Sequence, residues 1–194
     1  MKKDIYFAGG CFWGTEHIFK RIPGVLDTTV GYANGSMENP SYEDVCYKDT
    51  EHRETVKVTY DDTKLSLLML VQAFFMVIDP TVKNRQGNDI GSQYQTGVYY
   101  VDKEDLSLLE NTFSKEKTKH NEFYVELKPL DNFYDAEWYH QDYLDKNPDG
   151  YCHISYEEMD KVRKMFATEI ESNEYKQTET DDQLFLELEH KPLM

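Results

Sequence analysis

Between Lys64 and Ile78 the chain places Leu67, Leu68, Leu70, Val71, Phe74, Phe75 and Ile78 on nearly every side of a helix. A helix without a polar face cannot lie on a surface, so this stretch must be the most buried helix of the molecule, with other elements wrapped around it. Asp62 or Thr63 stands where a cap is needed, and Asp79-Pro80 ends the run because proline disfavours helical conformation in the residue before it.

The flanking sequence supplies the other layer. Ile5–Ala8 reads as a buried strand, Gly9-Gly10 as a tight turn, and Trp13–Ile22 as a helix stopped by Pro23-Gly24. Val25–Tyr32 alternates as a strand, and Ala33-Asn34-Gly35 turns it into a long polar loop reaching Val45. Thr55–Tyr60 alternates cleanly, with Val56, Val58 and Tyr60 on one face. A second long loop, Thr81–Gln93, leads to a strand at Gln95–Val101, a helix at Lys103–Thr118 with Leu106, Leu109 and Phe113 on one stripe, and a strand at Val125–Leu130. A short helix at Asp135–Leu144 and a further one at Tyr156–Ala167 complete the pattern, with a strong turn at Asn147–Gly150 between them. This order predicts an α+β two-layer sandwich of the ferredoxin-like plait type, with a mixed central sheet and long functional loops. Residues 1–167 are expected to form one domain, and the acidic stretch 168–194 a mobile tail, or one docked only through Leu184, Phe185, Leu186 and Leu188.

A chain of 194 residues is long enough for one full core. Its 21 Lys plus Arg against 37 Asp plus Glu give a formal charge of −16, which argues against nucleic acid and anionic membrane surfaces as partners. No run approaches a transmembrane length, and Asp4 interrupts the short apolar stretch near the N-terminus that would otherwise mimic a signal core. Cys11, Cys46 and Cys152 are odd in number and far apart, which suggests neither a disulfide scaffold nor a zinc site. A soluble protein of a reducing, cytoplasmic compartment is expected, monomeric and without a bound cofactor or metal.

Chemistry concentrates at Gly10-Cys11-Phe12-Trp13-Gly14. A cysteine where a strand turns into a helix sits near unpaired backbone N–H groups and the positive end of the helix dipole, which favour thiolate. Phe12 and Trp13 can line an apolar pocket beside it. A free cysteine is equally at home as a small buried hydrophobe, and on this stretch alone both readings stand open. Extending the alternation of Val56, Val58 and Tyr60 backwards puts Glu54 on the apolar face, where desolvation would raise its pKa and make it a proton donor near neutral pH.

The pentapeptide Gly10–Gly14 resembles the signature of the A class of peptide methionine sulfoxide reductases, and the resemblance continues in register from about Ile5 to His153. Asn39–Cys46 looks like the family loop that supplies a tyrosine, here Tyr42. His52 and Glu54 match its histidine and catalytic glutamate, Asn84–Tyr94 its second signature with Asp89 and Tyr94, and Ala136–Gln141 with Gly150-Tyr151-Cys152 the segment carrying the resolving cysteine. The resemblance implies reduction of methionine S-sulfoxide, in proteins and as the free amino acid. Cys11 would be the nucleophile, Glu54 the proton donor, and Tyr42 and Tyr94 the donors to the sulfoxide oxygen. Phe12 and Trp13 would hold the substrate methyl, and Asp89 the polar side of the substrate or a water. Cys152 would resolve the Cys11 sulfenic acid as a disulfide that thioredoxin reopens. Cys46 is expected to be structural, with a backup role only if Cys152 fails. Departures at Glu51, Arg53, Gln95 and Thr96 bear on how a peptide docks.

Two other classes of function fit parts of the chain. Asp145–Gly150 begins like a calcium loop, with oxygen ligands at its first, third and fifth positions and a glycine at its sixth, but its twelfth position is Tyr156 and the needed glutamate, Glu157, comes one residue late. A cysteine hydrolase would need Cys11 activated by His17, His52 or His140 and would give Cys152 no role; a thiol peroxidase would need no Phe12-Trp13 pocket.

Overall fold

The computed structural model describes residues 1–167. The expected tail at 168–194 lies outside them. The elements are β1 (Lys2–Ala8), α1 (Phe12–Phe19), β2 (Val25–Ala33), α2 (Tyr42–Tyr47), β3 (Arg53–Asp61), α3 (Leu67–Met76), β4 (Arg85–Gln86), β5 (Asp89–Ile90), β6 (Gly97–Tyr100), α4 (Leu106–Lys117), β7 (Glu126–Pro129), β8 (Phe133–Asp135) and α5 (Tyr143–Lys146), followed by helix α6 over 156–167. Six strands form one mixed sheet in the order β7-β6-β1-β3-β2-β8, antiparallel throughout except for the parallel β6–β7 pair. The fold is α+β, as expected. Among the described residues no helix is long and apolar enough to cross a membrane.

The sheet register sets the two faces. Phe7 pairs with Val56 and Val98, and Val56 with Val30, so one face presents Ile5, Phe7, Val30, Tyr32, Val56, Val58 and Val98 to the helices. Leu70, Val71 and Phe74 of α3 are fully buried against it, each worth about 1.5–3 kcal/mol relative to exposure. The opposite face is thinner: Tyr6, Ala8, Ala33 and Tyr99 are covered by Leu130 and Phe133.

Several boundaries differ from expectation. Helix α3 begins at Leu67 and is capped by Ser66, whose hydroxyl accepts from Met69 N, rather than by Asp62 or Thr63. Asp61 causes the delay: its carboxylate takes the Thr63 N–H and hydroxyl, and its carbonyl those of Lys64 and Leu65, closing a separate turn first. The first long loop contains α2, set by a Ser41/Asp44 capping box, and the second contains the β4–β5 hairpin. The helix expected at Asp135–Leu144 is reduced to α5. Here Phe133–Asp135 pairs with Gly31–Ala33 instead, and the Gln141 amide accepts from Val30 N and donates to the carbonyls of Val30 and Ala136. The backbone in this stretch finds its partners on the sheet edge, so it has no need of a helix.

Candidate active site

At the end of β1, Gly10 adopts φ +86°, and a Cβ there would lie 2.6 Å from the Gln86 side chain. Only glycine fits both demands. The turn delivers Cys11 to the N-cap of α1, 6% exposed. Both donors of the first helical turn next to it are engaged: Phe12 N–H donates to the Glu54 carboxyl at 3.0 Å, and Trp13 N–H faces the Cys11 sulfur. Burial pushes the Cys11 thiol well above its ordinary pKa, the Glu54 and Asp89 carboxyls add to that, and the Trp13 N–H opposes it without prevailing. The expectation of a thiolate favoured by the helix start is therefore overturned for the resting site. Cys11 rests as a thiol, because the helix end meets it inside a dry, acidic pocket rather than at the surface.

Glu54 occupies the inner face of β3, opposite Tyr32, at 2% exposure. Burial raises its carboxyl to about 8, against the pull of the Phe12 N–H and with help from Asp89. At neutral pH it is mostly a carboxylic acid, as the strand alternation anticipated. Tyr42 and Tyr94 lie in its field, and burial together with Glu54 drives both hydroxyls upward, so they remain proton donors. The Tyr42 hydroxyl lies near the Cys46 thiol, one helical turn away on α2, which adds to the rise of its pKa. Asp89 on β5 lies beside Tyr151, whose hydroxyl pKa it helps raise, and keeps its Oδ2 buried without a hydrogen-bond partner.

The aromatic wall converges on a residue the sequence assigned only to an alternative. His140 is buried, its ring 5.2 Å from Phe12, 5.7 Å from Trp13, 4.7 Å from Tyr42 and 4.4 Å from Tyr139. Trp13 Nε1 donates to its Nδ1 at 3.2 Å, so Nε2 carries the proton, and burial holds the ring below the usual histidine pKa. Trp13 also stacks on Tyr143 at 3.7 Å. Glu137 binds this wall to the sheet: one oxygen accepts from Tyr42 N and the other from the Tyr32 hydroxyl. Nothing short-range in the sequence marks Glu137 or His140 for these tasks.

Cys152 reaches the site from the other side. A Cβ on Gly14 would stand 2.8 Å from its sulfur, so the second glycine of the pentapeptide makes room for the second cysteine. All three cysteines are free thiols. Beside Cys152 a cleft of about 670 Å³ opens to the surface past His17, Leu144 and Tyr156.

The other two histidines of the hydrolase reading, His17 and His52, are committed elsewhere. His52 Nε2 is bonded to Met37 O at 2.8 Å, its ring filling the space a side chain on Gly35 would need, and His17 lies by Asp145. No imidazole among the described residues bonds the Cys11 sulfur, which removes the general base a hydrolase requires. Asp145, the first ligand of the calcium-loop reading, is taken by Lys20 and Arg21 at 2.6 and 2.5 Å.

The family model for peptide methionine sulfoxide reductase matches residues 3–178. The chain belongs to that family. The reductase named MsrA of Clostridium acetobutylicum is 56% identical over 160 residues, spanning 82% of this chain and 99% of its own, and that of Alkaliphilus metalliredigens is 54% identical over 156. Among solved structures, Mxr1 of Saccharomyces cerevisiae in reduced form superposes with a TM-score of 0.76 at 39% identity, covering 79% of this chain and 91% of Mxr1. A second structure, of Mxr1 in complex with Trx2, matches at 0.53 and 30% identity over 73% of this chain and 84% of Mxr1. This reductase therefore acts on methionine sulfoxide through thiols, and its buried thiol, buried acid and phenolic donors form one cluster.

Proposed function

We propose that Cys11 attacks the sulfoxide sulfur of a methionine S-sulfoxide while Glu54 protonates its oxygen, with Tyr42 and Tyr94 as further donors to that oxygen. The observation that carries this assignment is the fully buried Glu54 carboxyl, its pKa raised to about 8 by that burial, bonded to the backbone N–H of Phe12, the residue after Cys11. Thiol plus sulfoxide gives sulfenic acid plus thioether. Glu54 gives its proton to the oxygen and regains one from the Cys11 thiol, so no net proton is consumed. Tyr42, beside Cys46, turns its hydroxyl to the substrate oxygen. Phe12 and Trp13 take the methyl against the His140 wall, and Asp89, with one oxygen unpartnered, orients the polar part of the substrate. Cys152 then condenses with the sulfenic acid, releasing water and forming a disulfide. A thioredoxin returns both thiols by exchange, a reading favoured by the Mxr1 complex with Trx2 and by the open cleft beside Cys152.

The same reading takes residues 1–167 as the catalytic domain of a cytoplasmic monomer that repairs oxidised proteins and free methionine sulfoxide. It treats β1-α1-β2-β3-α3-β6 as a ferredoxin-like plait, for which the inner strand order β6-β1-β3-β2, antiparallel throughout, is the support. A single-turnover assay without reductant tests the chemistry. Wild type should yield about one methionine per chain and a Cys11–Cys152 disulfide, and Cys152→Ser one methionine and a trapped sulfenic acid. No methionine from folded, reduced protein would sink the assignment.

A further inference from the structure

The segment that carries Cys152 has no regular secondary structure between the Asn147–Gly150 turn and α6, yet it crosses the Cys11 turn at close range. Its link to that turn is His153, whose Nε2 lies 3.0 Å from the carbonyl oxygen of Gly9. A carbonyl only accepts, so Nε2 carries the proton, and the buried Nδ1 is the bare nitrogen, with no partner. The ring packs against the Cys11 turn and the β4–β5 hairpin: a Cβ on Gly10 would touch Nε2 at 3.4 Å, and one on Gly87 would touch the His153 Cβ at 3.5 Å. Burial also keeps the imidazole below its usual pKa, so a neutral ring is what the site holds. The bond therefore spans from the residue after the second cysteine to the residue two before the first.

We infer that His153 is a positioning residue for the second half-reaction, fastening the Cys152 segment to Gly9 so that the Cys152 thiol stands over the sulfenic acid as it forms. This rests on the assignment of Cys11 and Cys152 above. Condensation within one chain gains its rate from proximity, and a thiol on an untethered loop loses that advantage. His153 hydrogen-bonds the Gly9 carbonyl and not Glu54, Tyr42 or Tyr94, so its contribution is assigned to the step after methionine leaves. In that step the Cys152 S–H attacks Cys11 S–OH, the S–S bond forms, and water departs with the thiol proton. The rest of the segment has its own anchors: Ile154 is in the core, and Ser155 with Glu158 caps α6. Loss of the imidazole should thus loosen the thiol without unfolding the loop.

The test is stopped-flow and quench single turnover on the full chain with methionine sulfoxide and no reductant, in the presence and absence of dimedone. Methionine release and disulfide formation are timed separately for wild type, Cys152→Ser, His153→Ala and His153→Gln. In His153→Ala, methionine should be released at the wild-type rate within about twofold, while disulfide formation slows about tenfold or more and dimedone captures the accumulated sulfenic acid. His153→Gln should recover most of the second rate, since its amide Nε2 can still donate to Gly9 O. Disulfide formation at the wild-type rate in His153→Ala would overturn the inference, and so would equal slowing of both steps, which would mark the ring as simple support for the turn. If instead Cys152→Ser still closes a disulfide from Cys11, the underlying cysteine assignment fails, which is a separate result.

Discussion

The turn that carries Cys11 and the segment that carries Cys152 meet over Gly14, but they are constructed differently. The first is pinned on all sides: Gly10 in a left-handed conformation, Cys11 buried, and the Phe12 N–H fixed to Glu54 on the central strand β3. The second hangs between a turn and a helix, joined to the first through His153 and half-buried at Cys152. The difference follows from what each sulfur must do. On the proposed mechanism, one has to meet a substrate sulfur beside an acid in a fixed geometry, where small displacements are costly. The other has to approach, bond, and then be presented to an external reductant, which calls for a stretch of low local stability.

The comparison breaks most visibly at the pinned side. Cys11→Ser should abolish methionine formation, by about 10⁴-fold or more, since a hydroxyl at this site is neither acidic nor nucleophilic enough; Cys152→Ser should leave the first methionine intact, as quantified by burst amplitude. Glu54→Gln should slow the first step by about 10²–10³-fold. The wild-type first-turnover rate should hold at neutral pH and fall as pH rises through about 8, where the Glu54 proton is lost, and the variant's should show no such fall.

Stability should move the other way. A carboxyl whose folded pKa is raised binds its proton more tightly in the native state, so wild-type stability falls as pH climbs from about 4.5 towards 8. Near pH 7 the deficit is on the order of 3 kcal/mol. Glu54→Gln should recover part of it, read as a higher Tm at pH 7 than wild type and a difference that vanishes near pH 4. Gly14→Ala sharpens the contrast at the meeting point. The new methyl displaces the Cys152 sulfur, so recycling with thioredoxin should drop about tenfold with the first turnover nearly unchanged, even though alanine favours the helix by about 1 kcal/mol. The smallest effect on chemistry is expected from Gln141→Ala. Three hydrogen bonds to the sheet edge are lost, costing about 2 kcal/mol, roughly 6 °C in Tm, with methionine formation little changed.

Much of the pinned side could be read from the chain. The alternation of Val56, Val58 and Tyr60 placed Glu54 inward, and Gly9-Gly10 before Cys11 marked the strand-to-helix turn. The protonation of Cys11 could not be read, because it is set by burial under segments distant in sequence, with the Glu54 and Asp89 carboxyls adding to it against the Trp13 N–H. His140 escaped for the same reason: its neighbours Phe12, Trp13 and Tyr42 come from distant segments. The helix misplaced at Asp135–Leu144 shows long-range pairing overriding local pattern. The capping boxes Ser41/Asp44 and Ser155/Glu158 set the starts of α2 and α6, and the first of them lies inside the stretch expected to be loop as far as Val45.

The two ends of the sheet have a consequence for company rather than catalysis. Its outermost strands are only four residues (β7) and three residues (β8) long. The first carries Glu126 and Lys128 and stops at Pro129, and beyond the second the Gln141 amide occupies the Val30 backbone. On the proposed reading the enzyme works on other polypeptides, whose unpaired backbones a long bare edge would invite to add a strand. These blunted margins deny that template, so a client chain held by its side chain at the proposed Cys11 pocket would be released without nucleating a shared sheet.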